Sequence, residues 1–171
     1  MARNPQLAFG LVCLLLGVFA ACGPPSEKQR ILRLVDGVRK AAEKKDIQGM
    51  AGFLSEDYAD FEGRGKKETG ELLRDYFRRY RGIVVHVLGT HFEEAGPDGE
   101  TRLELEAVLS SGGGEMFRKL IRFSGEYYRF HIGVIKAGDL RRVRSARWEP
   151  VTAGDLFPES LAILKNLFPD M

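Results

Sequence analysis

The sequence predicts an α+β domain in which three N-terminal helices pack on a mainly antiparallel sheet of four to six strands, with a short C-terminal helix. Three observations predict it. Tyr127 to Val151 reads as a long hairpin. Tyr128, Phe130, Ile132 and Val134 alternate on one face with Arg129 and His131 on the other, Ala137-Gly138-Asp139 supplies the turn, and the return strand sets Val143, Ala146 and Trp148 among four arginines. Two further strand-like runs precede the hairpin, and the segments before them carry apolar residues at helical spacing.

Taken in order, the chain begins with an apolar run of 15 residues, Leu7 to Ala21, behind the single charge of Arg3. That run suits the core of a signal peptide and falls short of the roughly 20 residues a membrane-spanning helix needs. It ends at Phe19-Ala20-Ala21-Cys22, which resembles the bacterial lipobox, with two small residues before a cysteine that becomes lipidated. The expectation is a signal peptide over 1–21, an acylated Cys22, a tether over 22–25, a domain over 26–151 and an extension with a short helix over 152–171. Several acyl chains on one residue exceed what stable membrane attachment requires. Gly23 after the cysteine points to the outer membrane, facing the periplasm, in a bacterial envelope.

Ser26 to Gln29 is a capping box, and Ile31, Val35, Val38 and Ala42 continue a first helix to about Lys45. Asp46 caps a shorter helix bearing Ile47, Met50, Phe53 and Leu54, weakened by Gly49 and Gly52. Ser55 to Gly65 leaves the helical period and reads as a short strand and turn around Tyr58 and Phe61. A third helix from about Lys67 to Arg81 gathers Leu72, Leu73, Tyr76, Phe77 and Tyr80 on one face, with Arg74, Arg78 and Arg79 largely behind them. An apolar stripe with a solvated back explains that pattern more simply than a nucleic-acid surface. Gly82 to Glu94 and Glu100 to Ser110 are strands about a strong turn signal at 95–99. In the second of them Leu103, Leu105, Ala107 and Leu109 take one face, and Arg102, Glu104 and Glu106 the other. A glycine loop at 110–114 and a segment at 115–123 that suits helix or strand lead into the hairpin, and Pro158 to Phe168 closes as a helix.

The net charge of +2 falls to about +1 without Arg3, which argues against a dedicated nucleic-acid partner. Cys13 leaves with the signal and Cys22 is acylated, so no thiol remains for a disulfide or for zinc, and His86, His91 and His131 lack the short paired spacing of a metal site. No metal and no cofactor is expected. Gly112 to Gly114 lacks the lysine and helix of a phosphate-binding loop, and no serine nucleophile elbow occurs.

The stretch AAEKKDIQGMAGFLSEDYADFEG, followed by a helix and a hairpin ending in SARW, resembles the nuclear transport factor 2-like superfamily over about Ser26 to Val151. The resemblance implies a cone: a curved sheet wraps the helices and leaves a pocket at its open end. Enzymes of that superfamily use an acid, a histidine or a tyrosine inside the cone. Strand alternation sends Glu104, Glu106, Arg129 and His131 outward as a ladder of opposite charges, and leaves Tyr58, Asp60, Phe77, Tyr80, Leu105, Phe130 and Trp148 as the candidate pocket. Plain core packing competes for Tyr58 and Trp148, and a turn or capping role for Asp60. No catalytic residue is assigned. The expected function is an envelope-tethered lipoprotein with a non-catalytic domain, either an accessory module or one that binds an apolar small molecule. The alternatives are an isomerase- or dehydratase-type enzyme using Asp60 with a tyrosine, and a structural partner that meets an envelope protein or a second copy through the outer sheet face.

Overall fold

Ser26 and Gln29 close the anticipated capping box: the Gln29 amide donates to Ser26 Oγ at 3.3 Å and the Ser26 amide to Gln29 Oε1 at 3.0 Å. In this computed structural model, which describes residues 25–80, 82–93, 99–110 and 125–167, they open helix α1, Glu27–Glu43. The expected signal peptide, lipidated Cys22, the turn residues 95–98, the glycine loop from 111 onward and the segment 115–123 lie outside the described residues. No helix among the described residues is long and apolar enough to cross a membrane.

The chain divides into two compact units, 1–30 and 31–171, with the division inside α1. In the larger unit α1 ends at a turn where Lys45 takes a positive φ of 56°, its amide donating to Ala42 O at 2.9 Å. That left-handed residue is usually glycine; here the lysine side chain also donates to the backbone carbonyls of Phe77 and Tyr80, which ties the end of α1 to the end of a later helix. Asp46 caps helix α2, Ile47–Gly52, by accepting from the Gly49 amide at 2.8 Å. Strand β1, Leu54–Asp60, and helix α3, Lys66–Arg79, follow. Then come β2, Val84–Phe92, β3, Thr101–Ser110, β4, Gly125–Ala137, and β5, Leu140–Val151. A single turn of tighter helix at Ala153–Asp155 leads to α4, Pro158–Leu167.

The five strands form one mixed sheet in the order β1-β5-β4-β3-β2. All neighbours are antiparallel except β1 and β5, which run parallel through an irregular register. Among the described residues the fold is therefore α+β with four helices, consistent with a nuclear transport factor 2-like cone, and one helix follows the sheet rather than preceding it. The β4–β5 hairpin turns through Gly138 and Asp139, with Ala137 paired to Leu140 and Gly138 at φ 61°, which suits glycine. A bulge in β5 omits Arg144 from the pairing, since Gly133 faces Ser145 and Val134 faces Val143. This extra residue is why Val143, Ala146 and Trp148, whose spacing breaks strict alternation, all reach one side.

Two apolar clusters lie on opposite faces of the sheet. On the inner face Ile31, Leu34, Tyr58, Leu103, Val134 and Val143 are buried together. On the outer face Leu88 and Val108 are buried with Leu156 and Leu164 of the C-terminal segment. A second bulge, which omits Leu88 between Val87 and Gly89, accompanies this outer contact. The space is tight there: a Cβ on Gly89 would come within 2.4 Å of Ser160 Oγ.

The charged ladder has the anticipated pairing but not the anticipated exposure. Glu106 lies opposite Arg129 and Glu104 opposite His131. Glu106 is fully buried, however, because the C-terminal segment covers it. Its Oε1 accepts from Arg129 Nη2 at 2.7 Å and its Oε2 from the Phe157 amide at 2.9 Å. Alternation fixes which face a side chain takes; it does not say what lies on that face.

Candidate functional site

Inward residues of β2 to β5 and the apolar faces of α1 and α3 line a cavity of about 470 Å³. The sheet contributes Val85 and Val87, then Leu105, Ala107 and Leu109, then Tyr128, Phe130, Ile132 and Val134, then Val143, Ala146 and Trp148. The alternate residues of β3 and β4 line it because the pleat sends every second side chain inward. Helix α1 adds Leu34, Val35, Val38, Arg39 and Ala42; α3 adds Thr69, Leu72, Leu73, Tyr76 and Phe77. A volume of this size, lined mostly by apolar and aromatic side chains, is in the range of small-molecule sites.

Of the residues anticipated from the sequence, Tyr58, Phe77, Leu105, Phe130 and Trp148 line this one cavity. Asp60 and Tyr80 are not among its lining residues. Asp60 is spent on the turn after β1. Its Oδ1 accepts from the amides of Glu62 and Arg64, both at 2.9 Å, and its Oδ2 from Arg64 Nε at 2.6 Å. It caps that turn and not α3, whose N-cap is Gly65. Burial pushes the Asp60 carboxyl up, but the Arg64 guanidinium and the two amides outweigh it and hold the group below its ordinary value. A carboxylate so held is a poor base. Tyr80 ends α3 with its ring 4.6 Å from that of Tyr76, which does line the cavity.

Trp148 is half-buried rather than sealed against α1 or α3. Its ring meets Phe61 edge-on at 4.9 Å and lies 5.5 Å from the Arg64 guanidinium. The turn after β1 thus covers the indole, an arrangement that helical and strand periods do not encode.

The charged groups at the cavity wall already have partners. Arg39 Nη1 lies 2.8 Å from Glu43 Oε2 and Nη2 lies 2.8 Å from Asp36 Oδ1. Arg64 holds Asp60 and, through Nη1 at 2.5 Å, Glu62. Among the described residues Glu62 is the one acid that lines the cavity, and no histidine does. The phenols are neutral at physiological pH. Burial raises Tyr58, with the Thr69 hydroxyl opposing. Burial first, and then Tyr80 and Glu126, push Tyr76 well up; burial and Glu126 take Tyr128 to about 12. The described wall therefore offers hydrogen-bond donors and aromatic faces, and no acid–base pair.

A second cavity of about 300 Å³ includes Asp60, Phe61, Glu93, Arg102, His131 and Arg147. Beside it Glu93, Glu104 and His131 bring potential metal-ligating atoms within 4.8 Å of one another. His131 Nδ1 lies 3.2 Å from Glu104 Oε1, and Nε2 lies 3.8 Å from Glu149 Oε1. Histidine spacing along the chain could not reveal this group, because cross-strand pairing assembles it. Sequence reasoning also passes over Arg64, a turn residue with no periodic signal.

No protein-family model matches the chain, and no curated protein matches its sequence. Solved structures do match. Bd1075 of Bdellovibrio bacteriovorus superposes with a TM-score of 0.57 at 19% identity over 72% of this chain and 40% of that one, so the match spans less than half of that protein. Aln2 from a Streptomyces species gives a TM-score of 0.62 at 13% identity over 74% of this chain and 93% of that one. A Streptomyces avermitilis protein of the nuclear transport factor 2-like family, provisionally named a dehydratase, gives 0.57 at 14% identity over 72% and 94%. At these identities the likeness is one of fold.

Proposed function

The fold being nuclear transport factor 2-like, we propose that this chain is a binding module that takes an apolar small molecule without turnover and is held at a bacterial membrane, facing the periplasm, by an acylated Cys22. One observation carries the binding reading: a cavity of about 470 Å³ has an apolar wall whose charged residues are already neutralised by neighbours. Proton-transfer catalysis needs a positioned base and a donor where charge develops. The cavity's one described acid is ion-paired and its phenols are raised. Native mass spectrometry of the protein purified from its own cell type tests the reading. We expect a co-purifying apolar species that is recovered unchanged after incubation; conversion of that species to a product would overturn it.

The enzyme alternative draws support from the likeness to a protein provisionally named a dehydratase. It would have to work through a tyrosine hydroxyl of the wall, since Asp60 serves the turn. The anchor is tested separately. Cys22→Ser should abolish incorporation of a fatty-acid analogue and release the protein from the membrane fraction; equal labelling of variant and parent would sink that part of the proposal.

A further inference from the structure

We propose that Tyr76 and Tyr128 of the cavity wall, with the exposed Glu126 beside them, receive a positively charged amine, so that the ligand is an amphiphilic cation with an apolar body and one protonated or quaternary ammonium head. This rests on the binding reading above and gives the ligand a chemical class. Tyr76 and Tyr128 both line the cavity. Tyr80 backs Tyr76 with ring centroids 4.6 Å apart, and Phe130 backs Tyr128 at 6.0 Å. Each of these two wall phenols is thus backed by a second aromatic ring.

Glu126 stands beside them. Its Oε2 accepts from the Tyr128 hydroxyl at 2.9 Å, and among the described residues it has no cationic partner. It differs in this from Glu62, Asp60, Asp36 and Glu43, each of which is matched to an arginine near the same cavity. The Lys45 ammonium is engaged by the carbonyls of Phe77 and Tyr80. Both phenols are raised in part by Glu126, which marks this end as electronegative. A carboxylate beside aromatic rings attracts an ammonium group both by charge and by the ring quadrupole. A carboxylate or phosphate ligand would meet repulsion at the same place.

Three probes with one apolar body test this: phenylbutyl-trimethylammonium, phenylbutanol and phenylbutanoate, titrated calorimetrically into the full-length chain. We expect the cation to bind roughly tenfold or more tightly than the alcohol, and the carboxylate to bind weakest. Glu126→Gln, an exposed isosteric change, should bring the cation's affinity close to the alcohol's. Tyr76→Leu should lower the cation's advantage as well. Equal binding of cation and alcohol by the parent protein would overturn the cage while leaving the apolar cavity reading intact. A cation preference unchanged in both variants would also overturn it, by placing the selectivity elsewhere. Failure of the alcohol itself to bind would remove the reading on which the proposal rests.

Discussion

Glu106 shows how a residue can be read correctly and still be misjudged. Alternation along β3 sends it away from the cavity, and it does point away, yet it is fully buried between Arg129 and the Phe157 amide. Removing one partner of a buried pair leaves an uncompensated charge, so Glu106→Ala should cost about 3–5 kcal/mol. Chemical denaturation of the variant measures it, and an unchanged midpoint would mean the C-terminal segment does not seal this face. Trp148→Ala should cost less than a core indole would, about 1–2 kcal/mol, because the ring is half-buried and its contacts are Phe61 and Arg64. Asp60 makes a pH prediction. Its folded pKa lies below the ordinary 3.8, so its contribution is complete above that value and is lost as pH falls through and below it. Asp60→Asn should therefore flatten the acid limb of the stability curve, seen in melting temperatures from neutral pH down to the acid transition.

At the scale of elements, α1, α2 and the long hairpin were legible because each carries a local signal. The capping box, the Asp46 cap and the glycine turn name their own boundaries in the residues that satisfy them. Pairing was less legible. Nothing in Leu54 to Asp60 announces that β1 joins β5 in parallel, since a period of two records a face and not a neighbour. The bulge that omits Arg144 was hidden for a related reason: the three-residue step from Val143 to Ala146 is visible, but only the partner strand shows which residue is extra. The C-terminal segment looks in sequence like an extension beyond the domain, and it belongs to the same compact unit as the sheet. A chain ending at Val151 should accordingly expose Leu88, Val108 and the Glu106–Arg129 pair. We expect it to bind a hydrophobic dye and to aggregate, whereas retention of a sharp cooperative melt would show that α4 is dispensable.

For the whole molecule, the order of helices and strands was enough to suggest the fold, and the structural neighbours share that fold at identities of 13–19%. What occupies the cavity was not legible, since apolar walls report size and polarity and not a molecule's identity. A ligand that binds only the folded protein adds about 2.7 kcal/mol of stability at a hundredfold excess over its dissociation constant, so a matching compound should raise the melting temperature by several degrees. The outer cluster carries one more consequence, and it concerns time. Leu156, Phe157 and Leu164 follow all five described strands, so a ribosome delivers them after the sheet they must cover. Until then the outer face stays open and Leu88 and Val108 lack their apolar cover. Translation stalled with residue 151 just outside the exit tunnel should yield a protease-sensitive chain, and release of the next sixteen residues, to Leu167, should make it resistant. Such late locking leaves the chain pliable while it is being made, the state in which a polypeptide can still be threaded across a membrane.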